Sequence, residues 1–184
     1  MSINRRDALK SMVLMMGGTM VGSTAILTGC APENQIEGLN FGPEDIALLD
    51  EIGDTIIPET DTPGAKATGI GAFIVMMVKD TYDAQNQNAF VSGLNALRSN
   101  FKSENGSDFT EASAEDRLAF LNKLKSDADS GVEDAKVIYM LKDLTVLGYF
   151  TSEIGATQAL NYVEVPGRYD GCIPYNEGDK AYAI

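Results

Sequence analysis

Beyond residue 43, apolar residues recur at steps of three and four along most of the chain, the period of helices that bury one face. From Pro43 to Ile57 the face is Ile46, Leu49, Ile52 and Ile56. Pro43 suits a first helical turn, and Pro58 ends the run. Glu59 to Gly71 holds Pro63, Gly64, Gly69 and Gly71 and reads as a loop. Ala72 to Thr81 contains the dense apolar run Phe73 to Val78, whose length and methionines favour a helix over a strand. Phe90, Leu94, Leu97 and Phe101, spaced four, three and four, predict an amphipathic helix, broken at Glu104-Asn105-Gly106-Ser107. Ser113 stands where an N-cap belongs, with Asp116 three residues on, before Leu118, Leu121 and Leu124. A last helix runs from about Val132 through Val137, Met140, Leu141 and Leu144 toward Tyr149, and one short helical piece follows Gly155. The tail from Val163 to Ile184 is rich in Pro, Gly and Tyr and has little period. No internal repeat, phosphate loop or alternating strand pattern is present. The expected fold is all-α: about five helices followed by a long irregular C-terminal segment.

The pattern changes before residue 43. Arg5, Arg6 and Lys10 precede 19 uncharged residues, Ser11 to Gly29, which end at Cys30 and a polar run. A basic start, a moderately apolar stretch and small residues before a cut are the parts of a secretory signal peptide. Gly17, Gly18, Gly22 and Gly29 weaken the stretch as a permanent span, although its length would just suffice. Leu27-Thr28-Gly29-Cys30 resembles a bacterial lipobox, in which the cysteine thiol takes a diacylglycerol. Lipid on Cys30 would anchor the chain, because each buried CH₂ contributes roughly 0.8 kcal/mol. Ala31 carries no acidic retention signal, so either membrane stays open. Asn4-Arg5-Arg6-Asp7-Ala8-Leu9-Lys10 resembles a twin-arginine export signal, with Ala8 where a larger apolar residue is usual. The expected organisation is a leader over residues 1–29, a tether over 30–42 and a helical domain over 43–184, with the product a periplasmic, membrane-anchored lipoprotein.

Charge and residue usage then exclude whole classes of chemistry. The formal net charge is −13, and the leader holds three of the 14 basic residues but only one of the 27 acidic ones. So acidic a surface argues against nucleic acid as a partner and against adsorption to anionic headgroups, and it favours solubility or a basic partner. There is no histidine, which removes Ser-His-Asp and Cys-His catalysis and His-ligated haem or zinc. With Cys30 and Cys172 the only cysteines, no iron–sulfur or cysteine zinc site can be written. If Cys30 is lipidated, Cys172 is the odd cysteine of an exported chain, a free thiol or one end of an intermolecular bridge.

Three groups of residues invite a chemical reading. Asp50, Glu51, Asp54, Glu59 and Asp61 form an acidic cluster that reads as a cation site or, more simply, as the solvated side of a helix. Asp127-Ala128-Asp129-Ser130-Gly131 lacks the third oxygen ligand of a calcium loop and places its glycine one position early. Catalytic residues and metal ligands are therefore expected to be absent, as is a cofactor held by this chain. The aromatic and glycine-rich stretches Leu147 to Gly155 and Tyr162 to Pro174 are more distinctive. Tyrosines among proline and glycine supply rigid contact area at low entropy cost, which suits an interface, or they lie back over the domain's own helices.

Several short blocks, in order, resemble one family. Asp50-Glu51-Ile52-Gly53-Asp54-Thr55-Ile56-Ile57-Pro58 with Thr62-Pro63-Gly64-Ala65 is similar to the opening of the gluconate 2-dehydrogenase subunit 3 family. Gly148-Tyr149-Phe150-Thr151-Ser152-Glu153, then Pro166-Gly167 with Gly171-Cys172-Ile173-Pro174, resemble its later blocks, so the likeness spans roughly residues 44 to 176. The resemblance implies a non-catalytic small subunit beside a flavin-dependent oxidoreductase of the glucose–methanol–choline type. That partner would hold FAD, oxidise sugars, sugar acids or polyols, and pass electrons to a membrane cytochrome c or quinone. It also implies a twin-arginine leader that exports the folded partner alongside. The lipobox is a departure from many relatives. On this reading Tyr149, Phe150, Ser152, Glu153, Tyr162, Tyr169 and Cys172 are the expected partner surface. The rival expectation is a stand-alone envelope lipoprotein acting as a binding or scaffolding module.

Overall fold

The computed structural model describes residues 39–165, 167, 171–172, 174 and 176–183. The leader, the Cys30 lipobox, Arg5, Arg6, most of the tether and Tyr169 lie outside the described residues.

Among the described residues, five α-helices carry the fold. Helix α1 (Pro43–Ile56) has proline at its first position, and the Gly42 N–H donates to Asp45 Oδ2 at 2.9 Å, which satisfies a group the helix start leaves open. Leu48, Leu49 and Ile52 form its buried face. The helix stops where Pro58 disfavours helical geometry for Ile57.

The segment expected to be a loop from Glu59 to Gly71 is more ordered than its glycines suggest. It contains a 3₁₀ turn, Ala65–Thr68, and helix α2 (Ile70–Thr81) begins before the segment ends. Gly69 makes the corner in the left-handed region, φ 68°. Gly71 is a packing residue: a Cβ there would run into the Ile46 carbonyl oxygen of α1. Glycine here lets two helices approach, a use indistinguishable in sequence from its use in turns.

Helix α3 (Ala84–Asn105) is capped by Asp83, whose side chain accepts from Asn86 N–H at 2.8 Å, and ends at Gly106 with φ 73°. All four of its expected core residues, Phe90, Leu94, Leu97 and Phe101, are buried. Helix α4 (Ala114–Asp129) starts at Ser113, whose Oγ accepts from Asp116 N–H and donates to Asp116 Oδ2. Its buried face is Phe120, Leu121, Leu124 and Ala128, while Leu118 is 51% exposed. Leu121 and Leu124 of the expected stripe are in the core, and Phe120 takes the place expected for Leu118, packing edge-on to Phe101 with ring centroids 5.1 Å apart. Helix α5 (Val137–Thr151) follows a 3₁₀ turn, Asp134–Lys136, rather than starting at Val132.

One core receives side chains from all five helices, among them Leu49, Ile74, Phe90, Leu121 and Leu141. Beyond α5 the chain makes a π-type turn, Gly155–Ala159, and two short strands. These strands, β1 (Asn161–Tyr162) and β2 (Tyr182–Ala183), pair in parallel with Asn161 opposite Tyr182. That pairing is a small addition to the expected irregular tail. The domain is all-α.

Candidate functional site

Two groups of residues singled out in the sequence are brought to definite places. Of the acidic cluster, Asp50, Glu51 and Asp54 on α1 are partly buried, the first two bound to other elements, whereas Glu59 and Asp61 beyond the helix are exposed. Asp45, a carboxylate of α1 outside that cluster, pairs with Arg98 of α3. Asp50 Oδ1 accepts from the Gly71 N–H at 2.7 Å, so it caps the start of α2. Glu51 pairs with Lys66 of the 3₁₀ turn and with Arg117 of α4. Burial pushes the Glu51 carboxyl upward, but Lys66 and Arg117 outweigh it and hold the group below its ordinary value. Asp54, beside them, is raised, first by burial and then by the charge of Glu51. Among the described residues, no group of three or more His, Cys, Asp or Glu is placed to hold a metal ion.

The Gly148 to Gly155 stretch forms the end of α5 and the turn that follows. Gly148 sits against α2, and a Cβ there would come to 2.5 Å from both Ile70 Cδ1 and the Phe73 ring. Tyr149 is in the core, 2% exposed, and its hydroxyl donates to the Pro63 carbonyl at 2.8 Å. Of the residues expected at a partner surface, Tyr149 therefore gives most of its surface to the fold. Phe150 packs edge-on to it and remains 38% exposed. Ser152 is partly buried and makes the turn: its Oγ donates to the Tyr149 carbonyl at 2.7 Å and accepts from Gly155 N–H at 3.0 Å. A Cβ on Gly155 would collide with the Tyr149 carbonyl oxygen, so this turn requires glycine. Glu153, Tyr162 and Cys172 are exposed.

Exposed apolar side chains of α2 and α5 also lie outside the expected partner surface, and of these only Leu147 falls in a stretch singled out from the sequence as a candidate interface. Val146 and Leu147 lie just before the turn and are exposed alongside Phe150, as is Met76 on α2. Their helical spacing marks them as part of amphipathic or buried helices, and nothing in that period separates an uncovered apolar position from a covered one. The signal available was the lack of charge: Ile70 to Val78 and Leu144 to Thr151 contain none.

A five-helix domain with an uncovered aromatic and aliphatic end belongs to the class of small helical domains that present an apolar surface. The family model for gluconate 2-dehydrogenase subunit 3 matches residues 43–167, most of the chain and all five helices. The chain belongs to that family. No similar curated protein and no similar solved structure was found. Among the described residues, no helix is long and apolar enough to cross a membrane.

Proposed function

We propose that this chain is the non-catalytic accessory subunit of a periplasmic FAD-dependent dehydrogenase of the glucose–methanol–choline type, which it escorts through twin-arginine export and anchors to the membrane. The observation that carries this reading is the match to a dehydrogenase subunit family across the helical domain. The Arg5-Arg6 leader and the Leu27-Thr28-Gly29-Cys30 lipobox support export and anchoring. The chain has no histidine and only two cysteines, one assigned to lipid, so redox chemistry falls to the partner, which holds FAD and hands electrons to a membrane cytochrome c or quinone. A folded-protein exporter suits a small chain that carries a folded, cofactor-loaded partner. The exposed residues Phe150, Glu153, Tyr162 and Cys172 belong to the surface that meets it, with Tyr149 and Ser152 shaping that surface from beneath and Tyr169 in the segment beyond.

The experiment is the substitution of Arg5 and Arg6 by Lys, followed by fractionation of the cells. Both this chain and the flavoprotein are expected to remain in the cytoplasm. A flavoprotein that still reaches the periplasm overturns the escort role.

A further inference from the structure

The two most apolar helices of the domain lie side by side, and both keep large apolar side chains in water. Helix α2 has no charge from Ile70 to Val78, and α5 has none from Leu144 to Thr151, in a chain of which 22% is charged. Gly148 joins them by admitting Ile70 and the Phe73 ring. On the outside, Leu147 next to Gly148 is 44% exposed, and Met76, one turn beyond Phe73, is 49% exposed. Val146 and Phe150 continue the exposed positions along α5. A helix apolar all round is normally covered, and an uncharged apolar face on an otherwise acidic molecule marks a place where another surface belongs.

Charge decides what that surface is. The net charge of −13 makes an anionic lipid face or a second copy of the same acidic chain a repelling neighbour. An apolar patch set in a basic surround fits. Resting on the reading that the chain serves a larger flavin-dependent subunit, we infer that the α2–α5 face, centred on Leu147 and Phe150, is the seat of that subunit and packs against an apolar, basic-rimmed patch on it. The seat extends the expected partner surface from Phe150, at the end of α5, back along that helix and onto α2.

The test uses the full lipidated chain in its own cells, with a photo-crosslinking amino acid placed singly at Met76, Leu147 or Phe150 and, as a control on α4, at Leu118. The expected result is an adduct to one large flavin-containing polypeptide from the first three positions and none from Leu118. Adducts to a second copy or to phospholipid, or equal crosslinking from Leu118, overturn the assignment while the flavoprotein still co-purifies. Failure of any flavoprotein to co-purify removes the subunit reading itself, and the seat with it. In parallel, Leu147→Asp is expected to lower the flavin recovered per chain by at least about ten-fold, with an unchanged thermal melt, because central interface side chains dominate binding. Flavin retained at the wild-type level by that variant overturns the proposal.

Discussion

Gly148, Tyr149 and Phe150 follow one another on α5 and have three different tasks. Gly148 keeps the helix close to α2, Tyr149 reaches back to the loop before the 3₁₀ turn, and Phe150 faces outward. The Tyr149 hydroxyl ties residues 86 apart in sequence through the Pro63 carbonyl, a partly buried acceptor. Tyr149→Phe keeps the ring in the core and loses this bond. Thermal or urea unfolding should report a loss of about 0.5–1.5 kcal/mol. The aromatic stretch was legible as special from its glycines and tyrosines. Which ring is inward was not, because helical phase alone does not distinguish Tyr149 from Phe150 until the partner elements are placed.

Helix α1 shows the same division at the scale of an element. Its period, its proline start and its proline stop were all readable, and its bounds differ from expectation by a single residue. Its carboxylates were not readable in the same way. An acidic helix face looks solvated in sequence, and only the fold brings Arg98, Lys66 and Arg117 to it from three distant segments. The Glu51 pair with Arg117 is mostly shielded, with the two side chains 15% and 16% exposed, whereas Lys66 is half in water and contributes less. Glu51→Gln is therefore expected to cost about 1–2 kcal/mol at neutral pH. The pH dependence follows from the lowered carboxyl. Its contribution is complete above the ordinary value of 4.5 and is lost as pH falls through the lower value of the folded state. Asp54, raised by burial, works in the opposite sense: its contribution is present in acid and lost as pH rises through its folded value. Denaturation of wild type and Glu51→Gln should thus differ at pH 7 and converge as pH falls below the lowered folded-state value of the carboxyl, and a gap that persists once Glu51 is protonated would mean that the substitution acts through packing. Glycine was the other source of misreading, since Gly71 signals a close helix contact with the same letter that Gly69 uses for a turn.

For the whole molecule, the helical domain, its family and its ends fit one account. The acidic chain has a charge-free face on two packed helices and an aromatic turn beside that face. The apolar face is the feature least visible in sequence, because every one of its residues also satisfies the pattern of a core. In the proposed account, residues 1–29 are the export leader, Cys30 holds the domain at the membrane and the α2–α5 face holds the enzyme. The most direct measurement is mild detergent extraction of membranes through an affinity tag on this chain, with flavin absorbance and sugar-acid-dependent dye reduction followed in the eluate. The account predicts a larger flavin-containing polypeptide and its dehydrogenase activity in the same fractions as this chain. A lipoprotein that elutes alone, without flavin or activity, while the activity stays behind in another fraction, would contradict it.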